Sequence, residues 1–288
     1  MANKLRDLVA PGSLASVMSA QNPLSARLAE LAGFDGVWAS GFELSAAYGV
    51  PDASLLSLTQ HLDLTHAIAE RVSVPVIADL DTGYGNAVNV MHVVGAYARA
   101  GAAAVVIDDK TFPKDTSLLV GGRQDLVRVE EFQGKIAAAR AAAGERDLLV
   151  IARTEALIAD LGLEEALTRA HAYTEAGADM ILVHSRQKAP DEIVAFARRW
   201  HGATRLVVVP TVYPDLTEAR IRELGNIGMV IYGNDAIRTA VAAMRQVFAE
   251  IRADGGIHNI DKRIASVEDI FELQRVGEMK SIEQKYLR

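Results

Sequence analysis

The chain has 288 residues, 50% of them hydrophobic, no cysteine and a formal net charge of −7. That length suits one large α/β barrel or two ordinary domains, and the acidic balance disfavours nucleic acid and anionic membrane as partners, which leaves a small molecule. The lack of cysteine removes disulfides, thiolate nucleophiles and zinc-thiolate sites, and no apolar run approaches the roughly 20 residues of a membrane helix or resembles a secretory h-region, so the expected location is cytoplasmic.

From the N-terminus onward one unit recurs: a stretch with helix periodicity, a glycine that ends it, a brief apolar strand, then polar residues. Gly33, Gly101, Gly177 and Gly225 hold the helix-ending place, which fits the left-handed position just past a helix, and the short apolar runs fit parallel strands buried on both faces. Strands are expected at 14–18, 36–39, 74–78, 104–107, 148–152, 180–183, 206–209 and 229–232. The helices between them show apolar faces, as in Leu24, Leu28 and Leu31 after an Asn22-Pro23 start, or Val90, Val93, Val94 and Tyr97. Ile237, Val241, Met244 and Phe248 supply the face of the eighth. Eight βα units in this length predict a (β/α)8 TIM barrel, with an open doubly wound sheet as the competing architecture. The whole chain, 1–288, reads as one domain, with the barrel over about 12–254 and a helical extension over about 257–288 that carries a Ser266/Asp269 capping box. The extension is expected to pack on a neighbouring subunit, giving a dimer or tetramer.

Residues 74–86 concentrate the chemistry. The apolar strand ends in Asp79 and Asp81 and a glycine-rich turn, and two carboxylates at i, i+2 can face one point, where hard oxygen ligands favour Mg²⁺. A calcium loop does not fit, because Gly83 stands where a third ligand belongs and Val90 where a bidentate Glu would be. On its own the pair also reads as a turn with Asx hydrogen bonds. The longest irregular segment, 109–126, leaves the fourth strand on the face where barrel active sites are built, and its length suits a lid.

If the barrel is right, its mouth gathers Ser40 and Gly41, Asp79 and Asp81, Asp108, Arg153 and Glu155, His184 and Ser185, Thr211 and Asn234. The three aspartates can hold a metal directly or through waters, with Arg153 and His184 opposite to receive an anion. Plainer readings exist: Arg153 as counter-ion to Glu155, His184 bonded to a backbone carbonyl, Lys114 as an exposed lysine, Thr116-Ser117 as a polar turn.

Six stretches, Trp38 to Glu43, Pro51-Asp52, Asp79 to Asn86, Asp109 to Ser117, Ile151 to Glu155 and Val183 to Arg186, strongly resemble the phosphoenolpyruvate mutase/isocitrate lyase superfamily and, within it, the phosphonopyruvate hydrolases. The resemblance implies Mg²⁺, with Mn²⁺ or Co²⁺ as substitutes, held near Asp79, Asp81 and Asp108 largely through waters. It implies a 2-oxo acid bound by the metal and by Ser40 and Gly41, with Trp38 and Asp52 beside it, a phosphoryl group facing Arg153 and His184, and a gating loop carrying Lys114, Thr116 and Ser117. Lyases of the superfamily use a loop cysteine, which this chain lacks. Mutases resemble Lys-Thr-Asn-Ser in the loop, whereas this chain reads Lys114-Asp115-Thr116-Ser117, as the hydrolases do. The implied reaction is cleavage of the carbon–phosphorus bond of 3-phosphonopyruvate, with a phosphoenolpyruvate mutase, or a lyase or hydrolase of a 2-oxo or dicarboxylic acid, as the alternatives. Asp108 stands where the family usually has Glu, so that ligand must reach a metal through a shifted water.

Overall fold

Alternation along each strand decides the architecture. Strand residues point to opposite faces with period two, and here both faces are apolar, so a sheet built from them must be covered outside and filled inside. A computed structural model, which describes residues 2–144 and 146–287, resolves this demand as a closed barrel of eight parallel strands in sequence order. The strands are β1 (Ala15–Ala20), β2 (Gly36–Ala39), β3 (Val76–Asp79), β4 (Ala104–Asp108), β5 (Leu149–Thr154), β6 (Met180–Val183), β7 (Arg205–Val208) and β8 (Ile227–Tyr232). Helix α1 (Ala2–Leu8) precedes them, and α2 (Pro23–Leu31), α3 (Gly41–Ala47), α4 (Leu58–Ala69), α5 (Ala87–Arg99), α6 (Val129–Ala143), α7 (Gly162–Glu175), α8 (Asp191–Arg199) and α9 (Glu218–Leu224) connect successive strands. The TIM barrel expected from the sequence is thus present.

Strand interiors divide as the pleat requires. Val17, Trp38, Ile77, Val106, Ile151, Leu182, Val207 and Met229 form an inner cluster, whereas Val105, Ile107, Val150, Ile181 and Val208 belong to the layer shared with the helices. Local signals set the ends. Asn22 caps α2 through a capping box with Ser25, with Pro23 in the first turn, and Gly177 follows α7 at φ +101°, a conformation that disfavours any residue with a Cβ. Strand β3 starts at Val76, two residues later than expected, because Pro75 has no N–H to give the ladder.

The chain divides into two units, one running to Ile237 and the other starting at Arg238. The second contains most of α10 (Asp235–Asp254), a 3₁₀ turn (Asp261–Arg263), α11 (Val267–Leu273) and α12 (Val276–Tyr286). Inside it, Arg263 pairs with Glu250, and Ser266 with Asp269 forms the expected capping box. The apolar stripe expected on α10 is uncovered within the single chain, where the helix buries none of its residues and Phe248 is 64% exposed. Periodicity identifies an apolar stripe but not what covers it. Among the described residues no helix is long and apolar enough to cross a membrane.

Candidate active site

The alternation that fills the barrel also builds its mouth. Two residues beyond each inward apolar residue the chain places a polar one: Ser40 after Trp38, Asp79 after Ile77, Asp108 after Val106, Arg153 after Ile151, His184 after Leu182. Period two turns them all toward the barrel axis at the C-terminal strand ends, and Asp108 and Arg153 sit side by side in the β4–β5 register. A cavity of about 300 Å³ opens there, lined by Trp38, Ser40, Asp52, Asp79, Lys114, Thr116, Ser117, Arg153 and His184, with Phe42, Leu118, Leu119, Val209, Thr211, Ile231, Gly233 and Asn234 completing the wall. Of the other residues expected at the mouth, Gly41, Asp81 and Asp108 touch this lining from behind through Asp79 and Lys114, Glu155 lies beneath Arg153, and Ser185 turns away to Glu192.

One pole of the cavity is acidic. Asp79 accepts from Gly41 N–H at 3.3 Å and from Asp81 N–H at 3.2 Å, which folds the turn so that Asp81 (φ +50°) faces back toward it. Gly41 must lack a side chain, since a Cβ there would lie 2.9 Å from Asp81 Oδ1. Lys114 reaches into this cluster: its Nζ is 2.5 Å from Asp81 Oδ1, 3.5 Å from Asp52 Oδ1 and 3.9 Å from Asp108 Oδ2. The loop lysine is therefore buried, not exposed, and Asp52 joins the carboxylates. Burial pushes the Asp81 carboxyl up to about 7 against the pull of Lys114, with Asp52, Asp79 and Asp108 adding like-charge repulsion. Asp108 is raised for the same first reason, and its Oδ1 has no hydrogen-bond partner. Buried carboxylate oxygens of this kind require a cation. Lys114 supplies one, and the all-oxygen donor set suits a hard divalent ion. Among the described residues no three acidic or histidine groups close into a preformed cage, so such an ion would be held partly through waters.

The other pole is cationic. Arg153 pairs with Glu155 through Nε and donates from Nη2 to Ser117 Oγ at 2.9 Å. Lys110 Nζ lies 3.4 Å from Glu155 Oε2. Burial would raise Glu155, but Arg153 and Lys110 outweigh it and hold the carboxyl at about 2. Arg153 thus neutralises Glu155, as the plainer reading expects, and also lines the cavity. Burial, reinforced by Arg153, lowers His184 to about 3, so its imidazole is neutral and the charge of this pole resides on Arg153; its Nδ1 is 3.4 Å from Tyr213 Oη.

Behind these residues is a supporting layer that the sequence did not reveal. Asp109 points away from the cavity, accepting from Tyr173 Oη at 2.6 Å, Arg169 Nη1 at 3.2 Å and Glu155 N–H at 2.9 Å, and so joins the base of the 109–126 segment to β5 and α7. Lys135 donates to Thr82 O at 3.0 Å and steadies the turn that carries Asp81. His61, on α4, meets Tyr97 Oη at 2.7 Å and is lowered to about 4 by burial. These partners lie tens of residues apart, and no local spacing signals them.

Comparison with known proteins agrees with this geometry. The family model for phosphoenolpyruvate phosphomutase matches residues 5–252. Phosphonopyruvate hydrolase of Variovorax sp. (strain Pal2) is 61% identical over 284 residues, covering 99% of this chain and 98% of that protein. Phosphoenolpyruvate phosphomutase of Tetrahymena pyriformis is 40% identical over 284 residues, covering 99% and 94%. A crystal structure of phosphonopyruvate hydrolase in complex with oxalate and Mg²⁺ matches with a TM-score of 0.95 at 58% identity, over 100% of this chain and 99% of that one. A family match spanning most of the barrel, on a chain whose strand ends carry one acidic and one cationic pole, places this protein in the phosphoenolpyruvate phosphomutase family.

Proposed function

We propose that the protein is a phosphonopyruvate hydrolase, an enzyme that cleaves the carbon–phosphorus bond of 3-phosphonopyruvate to give pyruvate and phosphate. The observation that carries this is the polarity of a single cavity, with carboxylates and Lys114 at one end, Arg153 and His184 at the other, and Thr116 and Ser117 on the wall between. A substrate with a 2-oxo acid at one end and a phosphonate at the other matches that polarity. The 61% identity to phosphonopyruvate hydrolase selects it among such substrates.

Asp79, Asp81 and Asp108 would hold Mg²⁺, in part through waters, and Ser40, Gly41, Trp38 and Asp52 would bound the oxo-acid end. Mg²⁺, when bound, supplies a Lewis acid for the charge released as the bond breaks. The electron pair of that bond moves onto carbon as an enolate, which takes a proton to become pyruvate, while the oxygen of water becomes the fourth oxygen of phosphate. Arg153 neutralises the phosphoryl oxygens through this loose transition state, and the neutral His184 donates a hydrogen bond to one of them. Lys114 and Ser117 bring the covering segment onto the substrate and exclude other water. Thr116, on the cavity wall, would supply a hydroxyl to orient the attacking water or to meet phosphorus first.

The protein is further proposed to be a homo-oligomer. In the second unit Met244, Phe248, Val267, Phe271, Ile282 and Tyr286 are exposed, and apolar groups concentrated in this way suit a subunit interface. Sedimentation velocity checks this, and a monomer at micromolar concentration would refute it.

Incubation with phosphonopyruvate, with and without EDTA, tests the function. Pyruvate and phosphate should appear in equal amounts and stop on chelation. A ³¹P NMR signal of an enol phosphate with no inorganic phosphate would instead make the enzyme a mutase.

A further inference from the structure

The proposed chemistry gives no task to Lys110, a buried charge at the base of the covering segment. Lys110 lies two residues past the end of β4, near the start of the covering segment, and its side chain is 1% exposed. Its Nζ donates to Asp115 O at 2.7 Å and to Ser117 Oγ at 3.2 Å, both on that segment, and lies 3.4 Å from Glu155 Oε2 beneath it. Arg153 shares two of these partners, giving a hydrogen bond to the same Ser117 Oγ at 2.9 Å and pairing with the same Glu155. Ser117 is therefore held by two cations that a single buried carboxylate keeps in place. A second tie, from Lys114 to Asp81, Asp52 and Asp108, fastens the segment to the acidic pole, whereas Arg123 gives its N–H to Asp115 Oδ2 and its Nη2 to Pro113 O within the segment itself.

We infer that Lys110 is a positioning residue: a latch that holds residues 109–126 down over the cavity through Asp115 O and Ser117 Oγ, and ties their closure to the Arg153–Glu155 pair. The lysine lines no part of the cavity, so it acts through what it fixes. Charge-assisted bonds to a neutral acceptor are among the stronger ones in proteins, and these two are shielded from water. Arg153 and Lys110 compensate each other at Glu155, so the segment is held most firmly when both are in place. Release of the latch withdraws Ser117 from Arg153 and Thr116 from the cavity wall together, which couples the cover to the chemistry. The inference rests on reading this segment as the one that closes on substrate.

Limited trypsin digestion of the free enzyme tests it, because Arg123 lies in the segment and its cleavage requires local opening. In Lys110→Met the cleavage after Arg123 should be roughly 10–100-fold faster, the size expected from losing charge-assisted bonds, while cleavage at Arg252, outside the segment, keeps its rate. KM for phosphonopyruvate should rise more than kcat falls. Cleavage after Arg123 within twofold of the unsubstituted protein would overturn the latch, and equal acceleration at Arg252 would show general destabilisation instead. Should Lys110→Met fail to fold, Ser117→Ala removes the shared partner and leaves all three charges, and unaccelerated cleavage after Arg123 in that variant overturns the inference equally. A latch confirmed by digestion in a protein that leaves phosphonopyruvate intact would defeat the functional reading and not the latch.

Discussion

Replacing Arg153 by Ala tests two quantities the structure separates. The first is catalytic. A guanidinium about 4 Å from a phosphoryl oxygen contributes about 4 kcal/mol at an effective dielectric near 20, against about 1 kcal/mol in bulk water. At about 1.4 kcal/mol per tenfold, that is roughly 10³ in rate if the closed cavity acts as a protein interior and only about fivefold if it acts as solvent. The buried surroundings of Arg153 favour the former, so kcat should fall between about 10² and 10³-fold. The second quantity is stability. Glu155 is held at about 2 instead of its usual 4.5, chiefly by Arg153 and then Lys110. A depressed carboxylate contributes stability that is present above its unfolded pKa and lost as pH falls through the folded value. The Ala variant should therefore be less stable at neutral pH, with Lys110 retaining part of the effect and the deficit shrinking as pH falls below 4.5 toward 2. Adding Glu155→Gln leaves Lys110 without its carboxylate, so it should restore only part of the melting temperature and none of the turnover. Phosphate release by the two variants, alongside thermal denaturation at pH 7 and pH 3, gives the answer. Recovery of turnover in the double variant would mean that Arg153 only balances Glu155, and a loss under tenfold in the single variant would remove it from the chemistry.

Asp79→Asn keeps one of the two oxygens that accept from Gly41 N–H (Oδ2) and Asp81 N–H (Oδ1) and removes a charge, so circular dichroism should be unchanged while Mg²⁺-dependent turnover is mostly lost; full activity would remove the metal assignment. Gly41→Ala places a Cβ 2.9 Å from Asp81 Oδ1 and 3.4 Å from Asp79 Oδ2. The Mg²⁺ concentration for half-maximal activity should then rise by roughly tenfold, the scale of losses around metal ligands, and an unchanged titration would mean that the acidic turn accommodates the methyl. Thr116→Ala should lower hydrolysis by roughly 10²-fold, the usual range for one acid–base or orienting group; ³¹P NMR follows the product, and retained phosphate release would show that the loop hydroxyl does not direct the reaction.

Much of this was legible in the sequence for a definite reason. Parallel barrel strands are short, apolar on both faces and followed by polar residues, so Ile77-Ala78-Asp79 and Ile151-Ala152-Arg153 announce both a strand and the point at which it stops being core. That one property located the fold and the strand-end residues Ser40, Asp79, Arg153, His184, Thr211 and Asn234, while Trp38, Asp52, Lys114, Thr116 and Ser117 came from the family resemblance. What remained hidden depends on partners distant along the chain. Nothing near Lys114 indicates that its ammonium ends among Asp52, Asp81 and Asp108, and the sequence of a loop lysine is the same whether it is solvated or buried. Asp109 finds Tyr173 sixty-four residues away, and Lys110 looks like an ordinary charge beside two others. The stripe on α10 was legible as apolar, but not what covers it, since a repeat of 3.6 residues describes the helix and not its surroundings.

Asp108 and Asp109 are neighbours with the same side chain and opposite duties. The first faces the hollow of the barrel with an oxygen left unbonded, and the second is fully bonded in the outer wall. A slip of β4 by one residue would exchange them, stranding Arg169 and Tyr173 and handing the mouth an acid on the wrong backbone position. Two identical letters in a row thus act as a registration mark, so that at this strand an insertion or deletion of one residue is far more damaging than any single replacement.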